Sequence, residues 1–126
     1  MSDDRAAVRA WHRAVNDRDL DAAGRIAAPG IRVGGPKGRA EGVDVFLDWI
    51  AHAGIRLEPV AWHPVGPGRV VVEQDARWPD RPDADTGGQP VRTATLFTVD
   101  GGRVVEALRF DDGVGAALRA AWEGGG

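Results

Sequence analysis

The groups able to do chemistry concentrate between Val70 and Trp78, in the run Val-Val-Val-Glu-Gln-Asp-Ala-Arg-Trp. An opening of three valines reads as strand. A strand's period of two then puts Val71, Glu73, Asp75 and Arg77 on one face and Val70, Val72, Gln74, Ala76 and Trp78 on the other. Two carboxylates and a guanidinium therefore share a side. Facing water, they make a solvated, salt-bridged sheet surface; lining a cavity, they can move protons or hold a water molecule. Patterning alone favours the first reading. The opposite face, with Val70, Val72 and Trp78 joined by Leu96, Leu108 and Phe110 from later strands, is the more apolar and the natural one to bury. His63, beside Trp62 near a strand end, is a second titratable candidate, with a rim position as its simpler reading. His12 and His52 stand on helices at no metal-ligand spacing and read as surface or internally satisfied side chains, so no metal is expected.

What the chain lacks narrows the chemistry further. Among 126 residues there is no Cys and no Tyr, one Ser (Ser2) and one Lys (Lys37). Thiolate and serine nucleophiles, disulfides and tyrosyl acids drop out, which leaves Asp, Glu, His, Arg and Trp. A net charge of -3, with 16 basic residues that form no runs, gives no electrostatic footprint for nucleic acid. No apolar run reaches membrane-spanning length, and the acidic start Met1-Ser2-Asp3-Asp4 is unlike a signal peptide, so the expected location is the cytoplasm. The preference for Ala, Gly, Arg and Asp suggests a GC-rich bacterial source.

The elements that must position these groups follow in order. Val8, Trp11 and Val15 predict a first helix running to about Asn16, entered through Ser2, Asp3 and Asp4. Asp19 caps a second helix with Leu20, Ala23, Ile26 and Ala27 on its buried side, stopped by Pro29-Gly30. Ile31 to Val33 is a short strand, and Gly34 to Gly38 is a turn. Val43 to Ala53 is a third helix, with Val43, Phe46, Leu47 and Ile50 as its stripe and Gly54 as its close. The period then changes to two. Strands are predicted at Ile55 to His63, Arg69 to Trp78, Val91 to Val99 and Arg103 to Phe110. Gly66-Pro67-Gly68, a long loop from Pro79 to Pro90, and the hairpin turn Asp100-Gly101-Gly102 join them. Asp111 or Asp112 caps a last helix carrying Val114, Leu118, Ala121 and Trp122, and a glycine tail follows at 124–126. A single domain over 1–123 accounts for the chain.

Helix, helix, short strand, helix and then a four-strand meander is an α+β arrangement. With the run Val8 to Asp21, the segment Gly34 to Gly42 and the ending Asp100 to Glu106, the chain resembles the ketosteroid-isomerase-like superfamily, also called nuclear-transport-factor-two-like, and its SnoaL-like members. The resemblance implies a cone-shaped, curved, mixed or antiparallel sheet, three N-terminal helices enclosing a pocket, and a short C-terminal helix. It does not imply one activity, since that superfamily includes isomerases, cyclases, epoxide hydrolases and binding proteins. The positions that carry the acid and donor groups of ketosteroid isomerases correspond here to Trp11, Gly35 and Thr95. Neither an indole, a glycine nor a threonine can serve as the base, so that mechanism is rejected.

The same resemblance implies an inward sheet face made of Glu73, Asp75 and Arg77, of Thr93, Thr95 and Phe97, and of Ala107, Arg109 and Asp111. Asp75 matches the water-holding aspartate of limonene-epoxide-hydrolase-like members, with Glu73 and Arg109 in exchanged positions. Asp111 or Asp112 lies where SnoaL-like cyclases carry a proton-shuttling acid, and at least one of the two reads as a helix cap alone. The expected site therefore has Asp75, Arg109 and Asp111 as catalytic groups, with Trp11, Glu73, Arg77, Thr93, Thr95, Phe97 and His63 around the ligand. The expected activity is cofactor-free acid–base chemistry on a polyketide- or terpenoid-like small molecule, as a cyclase, an isomerase or an epoxide hydrolase. The alternatives are a binding module or a dimeric scaffold of the same fold. The outer sheet face, with Val70, Val72, Leu96, Leu108 and Phe110, is expected to carry a homodimer.

Overall fold

Helix α1 (Asp3–Asp17) forms where the apolar spacing predicts it, and Val8, Trp11 and Val15 are all buried. Arg18 reverses the chain with a positive φ of 52°, and Asp19 accepts a hydrogen bond from the Ala22 amide to start α2 (Leu20–Ile26). The computed structural model describes residues 3–35, 38–77, 91–111 and 113–124. The expected helix entry at Ser2, the end at Trp78 of the strand that begins at Arg69, the loop from Pro79 to Pro90 and the facing of Asp112 lie outside those residues, as does the side chain of Trp122.

The boundaries around the first strand differ most from the sequence reading, and the strand read as Ile55 to His63 runs on to Gly66. Helix α2 ends at Ile26, three residues before Pro29, and strand β1 runs from Ala27 to Gly35 with that proline inside it. Pro29 has no N–H to give a ladder, and the pairing of β1 with its neighbour shifts register between Ala27 and Arg32. Leu20, expected on the buried side of α2, is 41% exposed. A further strand, β2 (Gly38–Glu41), pairs back on β1 where only a turn was expected. All four of its residues are exposed and none is β-branched, so it owes its conformation to pairing and not to propensity.

Helix α3 (Val43–Ala53) closes on Gly54 in the left-handed conformation. The meander then runs through β3 (Arg56–Gly66), β4 (Arg69–Arg77), β5 (Val91–Asp100) and β6 (Arg103–Phe110), each antiparallel to the last. Strand β1 joins it parallel to β6. The result is an open, mixed, six-stranded sheet in the order β2-β1-β6-β5-β4-β3. Helix α4 (Val114–Gly124) follows. The exposed side of β3 is tied to the end of α1 by Asn16, which donates to the Leu57 carbonyl and accepts from the Leu57 amide, both at 2.7 Å. A side-chain amide thus stands in for part of a missing strand along an edge that also carries prolines.

The sheet is apolar on both faces, and this decides where the charged groups go. Val70, Val72, Ala76, Phe97, Val99 and Ala107 pack with Trp11, Phe46 and the rest of the N-terminal helices. Val71, Ala94, Leu96 and Leu108 pack on the other face with Ala117 and Ala121 of α4. The expected inward face of β4 is therefore corrected by one residue. Gln74 stands opposite Thr93 and Val72 opposite Thr95, so the even-numbered side of β4 faces the helices, while Glu73, Asp75 and Arg77 belong to the α4 side. Patterning favours burying this even-numbered side, and the inward facing of Glu73, Asp75 and Arg77 comes from the resemblance; the burial of Val70, Val71 and Val72 together leaves the start of β4 too weakly alternating to oppose it.

The same observation corrects the expected dimer patch. Val70 and Val72 are in the inner core, and Leu96, Leu108 and Phe110 are covered by the chain's own α4. Among the described residues, no helix is long and apolar enough to cross a membrane.

Candidate functional site

Between the N-terminal helices and the inner face of β1, β5 and β6 lies a cavity of about 400 Å³. One wall is aromatic. Trp11 of α1 stands nearly parallel to Phe46 and Trp49 of α3, at centroid separations of 5.8 and 6.4 Å. Phe46 and Trp49 follow at i and i+3 on one helix face, and Phe97 meets Trp11 edge-on from below at 4.9 Å. The β1–β2 hairpin contributes Val33, Gly34, Gly35, Gly38, Arg39 and Ala40, and the sheet contributes Thr95, Ala107 and Arg109. A Cβ at Gly34 would lie 3.0 Å from both Arg39 Cγ and Leu108 Cδ2, so a larger residue there would have to push one of those side chains aside.

Polar groups on this wall are few and are nearly all donors. Thr95 and Arg109 are cross-strand partners on β5 and β6 and so stand side by side. Trp11 Nε1 is buried without a hydrogen-bond partner, and so is Arg109 Nε. Asp111 Oδ1 lies 3.0 Å from Arg109 Nε. That distance is an ion-pair contact, but the direction misses that of a hydrogen bond, so the Arg109 N–H remains unsatisfied. An unmet buried donor costs about 1–3 kcal/mol, and both of these belong to residues of the cavity wall.

Behind this wall is a buried polar chain. His12, 3% exposed, has Nδ1 2.9 Å from the Val8 carbonyl oxygen and Nε2 2.8 Å from the Gln74 side-chain amide. Gln74 in turn reaches Thr95 and Thr93. Burial lowers the His12 pKa, and the hydrogen bonds to Gln74 and Val8 only partly oppose it. The folded state thus binds the His12 proton less readily than the unfolded chain, and stability is full above about 6.5, the ordinary histidine value, and declines as pH falls below it. The expected result is a melting temperature that drops between pH 7 and pH 5 more steeply in the native protein than in His12→Gln. Equal slopes would show that His12 is not the group responsible.

The expected catalytic groups do not meet in the cavity. Asp75 lies on the α4 side of the sheet, where its Oδ1 accepts from Arg92 Nε at 2.7 Å. Glu73 contacts the same guanidinium at 3.5 Å and pairs with His63 at 2.9 Å. Arg77 is on that face too, and exposed. The cluster of Glu73, Asp75, Arg92 and His63 is the salt-bridged sheet surface that was the simpler reading of this strand. It lies across the sheet from the pocket because a one-residue shift of facing moves every side chain of a strand. Trp11, Thr95 and Arg109 do line the cavity, Thr93 and Phe97 back its wall, and Asp111 reaches it through Arg109. Trp11, Gly35 and Thr95, the positions matched to the isomerase groups, all line it as well.

Sequence reading did not single out Phe46, Trp49 and Arg39 as lining, nor Gln74 as the buried polar residue of its strand. The aromatic pair at i and i+3 on α3 was visible, but such a stripe equally describes core. Gln74 stood among the residues assigned to the outside.

The comparisons with known proteins agree with this architecture. The pattern that defines the SnoaL-like domain family matches residues 8–107, and the chain belongs to that family. Among solved structures, a candidate polyketide cyclase from Sinorhizobium meliloti is 23% identical, with 82% of this chain and 93% of that one aligned and a TM-score of 0.71. A candidate ketosteroid isomerase from Kribbella flavida is 17% identical, over 87% and 78% of the two chains, with a TM-score of 0.72. TerC, crystallised with polyporic acid, is 19% identical over 97% of this chain and 99% of its own, with a TM-score of 0.71. At such identities the likeness is one of fold. No protein of curated function matches.

Proposed function

We propose that the cavity binds a flat, aromatic, oxygen-rich small molecule in anionic form, of the size and kind of a polyketide-like compound. The observation that carries this reading is the cavity's lining, in which the aromatic side chains of Trp11, Phe46 and Trp49 stand together with the cationic Arg39 and Arg109. Among the described residues that line it, the charged ones are Arg39 and Arg109, and the Asp111 carboxylate offsets part of the charge of Arg109. Low local dielectric strengthens the attraction of such a wall for an anion. Crystallisation of TerC with polyporic acid supports a ligand of this kind in the same fold. The test compares 2-naphthoate with the neutral 2-naphthalenemethanol, followed by tryptophan fluorescence. Loss of a charge-assisted contact worth about 1.5–3 kcal/mol should weaken the alcohol roughly 10- to 100-fold, and Arg109→Met should erase the difference. Equal binding of the two compounds by the native protein would refute the anion preference.

A second reading, an enzyme of the cyclase or isomerase kind, is favoured by Asp111 beside Arg109. Its carboxylate would take a proton from carbon next to a bound carbonyl, and the electron pair of that C–H bond would move onto the carbonyl oxygen held by Arg109 and Trp11. Solvent-deuterium exchange into 2-tetralone is then expected from the native protein and lost in Asp111→Asn, with 2-naphthoate binding kept. No exchange by the native protein would leave binding alone.

A further inference from the structure

Outside the cavity, two cations share a single ring. The guanidinium carbons of Arg5 and Arg9 lie 5.4 and 5.7 Å from the ring centre of Trp62. Arg5 and Arg9 are four residues apart on α1, so they stand one turn apart on one helix face, and both are exposed. Trp62 stands opposite Val72 on β4 and so projects from the side of the edge strand β3 that faces that helix. Two like charges at this spacing repel, and Arg5, in the first turn, also opposes the helix dipole. Helix stability therefore does not account for the pair. Nor does α1 supply an anion at the spacing where a helix would. Three and four residues along it, Arg5 and Arg9 meet Ala6, Val8, His12, Arg13 and each other, none of them a carboxylate. Arg13 differs, with Asp17 four residues on. The indole is what holds the pair together. A guanidinium over an aromatic face is attracted by it and keeps the N–H groups around its own rim for an anion.

We propose that Arg5, Arg9 and Trp62 form a surface anion site separate from the cavity, and that its ligand is a diphosphate group, with one phosphate taken by each guanidinium. The planar fork of guanidinium donors fits phosphate oxygens in pairs, and two forks converging on one ring from adjacent helical turns suit two linked phosphates better than a single one. The neighbouring strand edge argues against an acidic peptide laid along β3. Asn16 already takes both backbone groups of Leu57, and Pro59 and Pro64 have no N–H to offer an added strand. The site stands independently of the reading given for the cavity, since it shares no residue with the cavity wall.

Calorimetric titration of the whole chain with pyrophosphate at low salt tests it. A Kd of about 1 mM or tighter is expected, rising as sodium chloride is added. The Trp62 indole N–H signal should shift in the NMR spectrum on the same titration. Arg5→Gln and Arg9→Gln, each checked for an unchanged melting temperature, should weaken binding about 3- to 10-fold, the scale of one exposed charge-assisted contact. Trp62→Leu keeps both charges and removes the aromatic face, so it should weaken binding as well, while Trp62→Phe should retain most of it. Arg109→Met, in the cavity, should leave it unchanged. Orthophosphate, which can engage only one fork fully, should bind about 3- to 10-fold more weakly than pyrophosphate. Adenosine diphosphate separates the two sources of the group: affinity equal to that of pyrophosphate assigns the site to a diphosphate ester, and weaker binding assigns it to the free ion. Failure of pyrophosphate to bind at about 10 mM overturns the inference. So does equal binding of orthophosphate, or a loss of affinity in Arg109→Met with none in Arg5→Gln and Arg9→Gln.

Discussion

Replacing Phe97 by alanine is expected to remove about 3–5 kcal/mol of stability, a third or more of what a domain of this size commonly has. The side chain is fully buried on β5, its ring 4.9 Å from Trp11 and 5.4 Å from His12, so it joins the sheet to α1 at the point where the cavity wall begins. Truncation loses the transfer energy of a phenyl ring and leaves a void between groups held by other contacts, which cannot close over it. Denaturant titration should show the midpoint falling with little change in slope. Val60→Ala, at a side chain 48% exposed, should cost less than about 0.5 kcal/mol. A loss at Phe97 as small as that would mean that the inner core is not where the structure puts it.

A single methyl group at Gly68 should do comparable damage by another route. Gly68 has a φ of 70°, its carbonyl accepts from the Val99 amide at 2.7 Å, and a Cβ there would lie 2.7 Å from the Val99 carbonyl oxygen. The left-handed conformation alone costs a side-chain-bearing residue about 1–2 kcal/mol. The clash is with backbone held in the β5 ladder and cannot be relieved by a rotamer change, so Gly68→Ala is expected to cost about 3 kcal/mol in all. Gly101→Ala separates the two contributions, since Gly101 has a φ of 60° with open space around it and should lose only the conformational part. Equal losses at Gly68 and Gly101 would show that the β3–β4 turn moves aside from β5.

How far the sequence could be read depended on whether each pattern had one solution. Helix α1 was legible because Val8, Trp11 and Val15 have a clear inner side, and the meander because Asp100-Gly101-Gly102 and Gly66-Pro67-Gly68 permit little else. The family resemblance, carried by the Val8 to Asp21 run and the hairpin at Asp100, gave the pocket and its Trp11, Thr95 and Arg109 walls. Strand β4 was misread because the resemblance outweighed a pattern that favoured the observed facing, and burial of valines on both faces kept that pattern weak. Once Glu73 and Asp75 were turned inward, Gln74 had to face out. The hairpin partner β2 was invisible, since Gly-Arg-Ala-Glu has no strand preference of its own. The cover that α4 lays over Leu96 and Leu108 could not be read either, because an amphipathic helix does not announce which surface it will occupy.

The parallel pairing of β1 with β6 has a consequence for the order in which the molecule can be made. Arg32 meets Glu106 across 74 positions of sequence, and Trp11 and Arg109, which hold the ligand in our reading, come from the first helix and the last strand. As the chain leaves the ribosome, β3, β4 and β5 can pair with their neighbours at once, whereas the β1–β2 hairpin has no sheet to join until β6 arrives. Closing so long a loop is the entropically slow step. The cavity is therefore complete only after β6 has docked beside β1. A small molecule can reward a finished chain, but it cannot help a nascent one to begin.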